Sequence, residues 1–214
     1  MKHIFVLFVV MASKGYALPV SIMFKFNQAS AKDSFHFSVF KTYLSNFRFY
    51  NLQNKLIHVD NKAYLMDVND SSMSYTISID CPSHETPQTI VYSIGLDSLT
   101  NASGVLTGDL DPLKGMFWTW QSGYIHLKLE GQTTKQSNSN PMKYTYHLGG
   151  YRHPNLTLMD KYLVFDTKGI TVNIQLNLLV SKLNDFKTTS IMSPGPKAKE
   201  TFEALTDYFI QVSP

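Results

Sequence analysis

Cysteine is nearly absent: Cys81 is the only one in 214 residues. No internal disulfide and no multi-cysteine zinc site can form, and only an intermolecular bridge is left open. Charge is scarce as well. Asp, Glu, Lys and Arg make up 16% of the chain, the formal net charge is +3, and the basic residues form no run or stripe. A nucleic-acid interface is therefore not expected. The chain has no GxSxG elbow, and neither GxGxxG nor GxxxxGK[ST] occurs. Nucleophilic catalysis and phosphate cradling thus lack their usual sequence supports. Cys81 stands beside Pro82 with no defined base. Histidines form no HxH or HExxH pair. No apolar run reaches the roughly 20 residues that a spanning helix needs. A non-enzyme is expected, with an unrecognised carboxylate pair, as in glycosidases, as the catalytic alternative.

Apolar residues make up 43% of the chain and aromatics 13%, which argues for a packed core and against disorder. The N-terminus has a charged start at Lys2, an apolar run from Ile4 to Ala12, and small residues ending at Gly15-Tyr16-Ala17. That pattern predicts a secretory signal cut after Ala17. Its loss removes Lys2 and Lys14, so the mature charge becomes 3 − 2 = +1. Residues 18–214 are expected to form one domain in a periplasm or outside the cell.

Much of that domain alternates with period two. Ile22, Phe24 and Phe26, then Phe47 and Phe49, Tyr75, Ile77 and Ile79, Ile125, Leu127 and Leu129, and Val172, Ile174 and Leu176 are each separated by single residues, mostly polar. Ile90-Val91-Tyr92-Ser93-Ile94 reads as a more fully buried run, and His147 falls at the end of an expected strand in Tyr144–Gly150. Turns are expected at Asn54-Lys55, Asp60-Asn61, Gly131 and His153-Pro154, and a polar hairpin loop at 132–140. Short strands without β-α alternation predict an all-β fold, a β-sandwich of mainly antiparallel strands. Helical spacing is confined to Leu176–Phe186 and Lys197–Phe209, the second following Ser193-Pro194-Gly195-Pro196.

The densest unusual segment is Gly95–Gly131. If extended, it projects Met116, Trp118 and Trp120 from one face. A thioether beside two indoles suits a soft metal or an aromatic ligand, and equally suits a core. Asp97, Asn101, Asp109 and Asp111 are hard oxygen donors that suit calcium, although turn-forming roles explain them as well. His36, His58, His84, His126, His147 and His153 are the histidines of the mature chain. Asn69, Asn101 and Asn155 begin glycosylation sequons, which matter only in a eukaryotic secretory route.

Several of these stretches resemble the MbnP-like copper-binding family, named for a periplasmic protein associated with methanobactin. The resemblance is carried by Ser93-Ile94-Gly95-Leu96-Asp97, Gly108-Asp109-Leu110-Asp111-Pro112, Gly115-Met116-Phe117-Trp118-Thr119-Trp120, Gly123-Tyr124-Ile125, Leu129-Glu130-Gly131 and Tyr146-His147-Leu148-Gly149-Gly150. Weaker matches are Tyr43-Leu44-Ser45-Asn46, Tyr64-Leu65-Met66-Asp67 and Asp207-Tyr208-Phe209. The resemblance implies a bacterial secreted β-sandwich. It also implies copper held by histidines and by a tryptophan oxidised to kynurenine, made by a di-haem partner protein. By position, His147 matches the family histidine, and Trp118 and Trp120 match the WxW pair. Asn27 stands where many relatives have a second histidine. His36 or His126 is then the expected replacement, with Met116 as a further ligand. A metal-free binding module that uses Trp118, Trp120 and Tyr124 is the other reading.

Overall fold

The computed structural model describes residues 18–27, 33–68, 73–82, 85–135, 141–166, 169–186 and 188–212. The expected signal segment and residues 136–140 of the expected 132–140 loop lie outside them, while residues 132–135 are not loop but continue a strand that ends at Lys135. The strands are β1 (Leu18–Asn27), β2 (Asp33–Tyr50), β3 (Leu56–Asp60), β4 (Tyr64–Val68), β5 (Ser74–Cys81), β6 (Thr89–Ile94), β7 (Phe117–Thr119), β8 (Gly123–Tyr124), β9 (Leu127–Lys135), β10 (Met142–Leu148), β11 (Met159–Val164), β12 (Ile170–Gln175), β13 (Ser190–Ile191) and β14 (Phe209–Val212). The α-helices are α1 (Ser98–Ala102), α2 (Leu176–Asp185) and α3 (Pro196–Thr206).

Two sheets face each other, as expected for an all-β sandwich. The smaller has the order β14-β12-β1-β5. The larger runs β11-β6-β2-β9-β10-β13, with β3 and β4 also paired to β2. Most pairings are antiparallel, and β1–β12 and β10–β13 are parallel. The alternation seen in the sequence explains the inner faces. Val20, Ile22, Phe24 and Phe26 of β1 are buried, while Ser21, Met23 and Lys25 face out. Across the gap stand Phe37, Phe40, Leu44, Phe47 and Phe49 of β2, Tyr92 of β6 and Leu129 of β9. Phe47 and Tyr92 stack at 5.6 Å, and Phe24 meets Tyr92 edge-on at 5.8 Å. Each such ring adds about 2 kcal/mol of apolar burial.

The larger sheet is also covered on its outer face. Tyr43, Leu65, Leu96, Met116, Tyr124 and Ile125 form a second buried cluster there, with Trp118 and Phe117 packed against it. The β7–β8 ribbon is the roof of this cluster.

Three further local expectations change. Gly131 is not a turn but sits inside β9, paired with Phe37 and Tyr144. The last helix stops at Thr206 and does not reach Phe209. Phe209 begins β14 and pairs with Ile174, so its four-residue spacing from Leu205 comes from a helix end followed by a strand start. The third change is α1, a single turn inside the Gly95–Gly131 segment that no apolar periodicity announced.

Candidate metal centre and tryptophan ribbon

The site is built on the outer face of β9 and β10 by strand parity. Tyr144, Tyr146 and Leu148 of β10 point into the main core. His147 and Gly149 therefore share the outer face. In β9, Lys128 and Glu130 alternate with the buried Leu127 and Leu129, so they share that face too. His147 is paired in register with Lys128. Its Nε2 lies 2.7 Å from Glu130 Oε1, and its side chain is 10% exposed. Lys128 Nζ lies 3.5 Å from the same carboxylate oxygen. Burial alone pushes the Glu130 carboxyl up. The hydrogen bond from His147 and the nearby Lys128 charge outweigh that and hold it below the usual carboxylate range. The carboxylate therefore accepts, Nε2–H donates, and the lone pair falls on Nδ1. No described residue hydrogen-bonds to that Nδ1.

Trp118 reaches the same face. A Cβ on Gly149 would stand 2.8 Å from Cζ3 of its indole and 2.5 Å from the Tyr124 carbonyl oxygen. Only glycine permits this approach, so the first glycine of His147-Leu148-Gly149-Gly150 seats Trp118 two residues from His147. The ribbon that carries Trp118 is tied down by lysines from the sheet. Lys41 Nζ donates to the Lys114 carbonyl at 3.1 Å, and Lys128 Nζ to that of Gly115 at 3.4 Å. Gly115, at φ 73°, supplies the left-handed turn into β7.

The expected one-sided face of Met116, Trp118 and Trp120 does not form. Met116 is fully buried, Trp118 is half-buried, and Trp120 is 73% exposed. β7 is three residues long, its register slips between Phe117 and Thr119, and Trp120 already belongs to the turn. Alternation cannot persist over so short a strand. Met116 sits with Tyr43 and Tyr124 in the roofed cluster.

His126 is fully buried, and both of its ring nitrogens are engaged. Asn101 Oδ1 accepts the Tyr124 N–H at 2.9 Å, which turns Asn101 Nδ2 toward His126 Nε2 at 2.7 Å. Nε2 is thus an acceptor, and Nδ1–H donates to the Thr157 carbonyl at 2.6 Å. Thr157 Oγ1 lies 2.9 Å from the same Nδ1. Burial pushes the imidazole pKa down to about 4. His126 is a neutral structural hub with no lone pair to offer a metal.

His36 pairs with Gln132, while His147 pairs with Lys128. Four residues along β9 and two strands across put them about 16 Å apart. His36 faces an open groove of about 430 Å³ shared with Glu130 and Lys143. Asn27 ends β1 opposite Gln175, in the other sheet.

The acidic loop is used by the backbone. Asp97 caps α1 through Thr100 N at 2.8 Å, Asp109 accepts Leu65 N at 3.0 Å, and Asp111 accepts Leu113 N at 2.8 Å. Asn101 is the His126 partner already described. Among the described residues, no three His, Cys, Asp or Glu side chains gather as a metal-binding group. What the described residues offer a metal on this face is one imidazole, His147. Asn101 was expected as a calcium donor and not as the partner of His126, and Glu130 and Thr157 were given no site role. Glu130 had one available signal, its same-face alternation with Lys128. Asn101 and Thr157 lie 25 and 31 residues from His126, and those pairings had none.

These features define a β-sandwich whose larger sheet carries, on its outer face, a tryptophan ribbon beside a carboxylate-held histidine. The MbnP family model matches residues 17–195, and the chain belongs to that family. The fold is also similar to that of MbnP from Methylosinus trichosporium, at a TM-score of 0.54 and 13% identity, over 77% of this chain and 78% of that one. Among curated proteins no significant match is found. Among the described residues, no helix is long and apolar enough to cross a membrane.

Proposed function

We propose that this protein is a non-catalytic copper binder of the periplasm or cell exterior, with His147 as the anchoring ligand. One observation carries the reading: Glu130 accepts the His147 Nε2–H and leaves Nδ1 as the free lone pair. Metal-binding histidines are characteristically held this way, because the carboxylate fixes the tautomer and raises ligand basicity. Imidazole suits copper. Bound copper would supply a soft cation to which Trp118, or kynurenine formed from it by a di-haem partner, adds a neighbour. Trp118 is the nominated tryptophan because it lies over Gly149 on the His147 face. Calcium in the acidic loop is not part of this reading, since those carboxylates already cap backbone N–H groups.

The test is metal analysis with intact mass on protein exported by its native host. Stoichiometric copper is expected, falling to background in His147→Ala. Glu130→Gln should weaken affinity about 10- to 100-fold. A mass change that matches kynurenine and vanishes in Trp118→Phe would complete the reading. Copper retained unchanged in His147→Ala would overturn it. The exposure of Trp120 (73%) favours a second reading, a metal-free binding module. Absence of both copper and the mass change, even after copper loading, selects that one.

A further inference from the structure

On the far side of the ribbon tip is a cavity of about 140 Å³. Gln121 and Ser122 form one wall, Arg152, His153 and Asn155 a second, and Pro194 a third. Among the described residues that line it, none is Asp or Glu. Arg152 has no carboxylate partner among the described residues, unlike Arg48, the chain's other arginine, which pairs with Asp160 at 2.5 Å. Arg152 is nonetheless held. Its Nη2 donates to the Tyr151 hydroxyl at 2.8 Å, and its guanidinium carbon lies 5.0 Å from the centre of the Tyr151 ring. Tyr151 uses one of five guanidinium N–H donors, and the others remain available. Lys199 adds positive charge behind the loop, donating to the Pro154 carbonyl at 3.1 Å, with Glu203 3.8 Å away as its ion-pair partner.

Both main walls are set by the buried His126. Through Asn101 it fixes Tyr124 and hence the ribbon end. Through Thr157, whose N–H donates to the Gly150 carbonyl at 2.9 Å, it closes the Gly150–Thr157 loop. Gly150 touches the Asn155 carbonyl so closely that a Cβ would collide with it, and a Cβ on Gly123 would meet Asn101 Oδ1 at 2.5 Å. A planar cation without a counter-charge, braced over a cavity whose walls are fixed before any ligand arrives, is the arrangement that recognises an oxyanion. The cavity has room for several water molecules, and so for a small carboxylate or a phosphate.

We propose that this cavity is a small-oxyanion site in which Arg152 binds a carboxylate or phosphate group. It does not depend on copper, and the test uses metal-free protein. Amide NMR shifts of the exported protein are followed during titration with sodium acetate and, separately, inorganic phosphate, at ionic strength held constant with chloride. Saturable shifts confined to residues 121–122 and 150–155 are expected, at millimolar half-saturation or tighter. Arg152→Gln should weaken them at least tenfold with an unchanged melting temperature, and Arg152→Lys should fall between. The stronger of the two anions identifies the ligand class. Shifts that never saturate, that glucose reproduces, or that survive Arg152→Gln would overturn the proposal.

Discussion

Two buried polar side chains carry predictions of opposite sign. His126 is neutral in the fold because burial holds its pKa near 4, against 6.5 for an exposed histidine. The unfolded chain therefore binds the extra proton first as pH falls. Stability from this group is complete above pH 6.5 and is lost on the way down to pH 4. Between pH 6.5 and 5 the loss is about 2 kcal/mol, at 1.36 kcal/mol per unit. His126→Gln keeps a donor and an acceptor but does not titrate. Its unfolding midpoint should be lower at pH 7 and nearly flat over that range, where the parent falls. An equally steep parent and variant would remove His126 from the account. Tyr92 is the reverse case. Its ring stacks in the core, but its buried hydroxyl has no hydrogen-bond partner among the described residues. Burial raises its pKa far above the usual phenol range. A buried unsatisfied hydroxyl is a liability of about 1–3 kcal/mol. Tyr92→Phe should leave stability unchanged or raise it by about 1 kcal/mol in urea denaturation. A clear loss would mean that a buried water satisfies the hydroxyl.

At the scale of elements, β11 is an exposed edge of the larger sheet, with Tyr162 and Val164 largely open to solvent. Gln211 of β14 blunts it: Oε1 accepts the Val164 N–H at 2.7 Å, and Nε2 donates to the Val164 carbonyl at 2.8 Å. The side-chain amide occupies the place a foreign strand would take. Gln211→Ala should increase concentration-dependent self-association in sedimentation, relative to the parent chain. Unchanged association would show that strand twist alone protects the edge. Elements were readable from the sequence where one face is buried and the other wet, as in β1, β5 and β12. The middle of β2 was not. Thr42, Tyr43, Leu44 and Ser45 are all buried, because the ribbon cluster covers the outer face while the main core covers the inner. Alternation vanishes when both faces are dry. The candidate site divides similarly. His147 and the tryptophans stood out by residue type and motif. The parity that joins His147 to Glu130, and the three-residue strand that separates Trp118 from Trp120, depend on pairing with distant segments.

For the whole molecule, the question is where the fold ends. The family model stops at residue 195, whereas the core does not. Beyond it, α3 contributes Ala198, Phe202 and Leu205, and β14 contributes Phe209, all in the main buried cluster. β14 also completes the smaller sheet through its register with β12. The Pro194-Gly195-Pro196 passage therefore joins parts of one core and is not a linker to a dispensable tail. Burial of two phenylalanines and a leucine is worth about 6 kcal/mol at roughly 2 kcal/mol each. Domains of this kind are stable by only about 5–15 kcal/mol in all. A chain ending at Gly195 is therefore expected to lose near-ultraviolet circular dichroism and cooperative melting. Phe202→Ala in the full chain should lose about 3–5 kcal/mol and still fold. If the truncated chain melts cooperatively within a few degrees of the parent, residues 196–212 are an accessory to the sandwich and not part of its core.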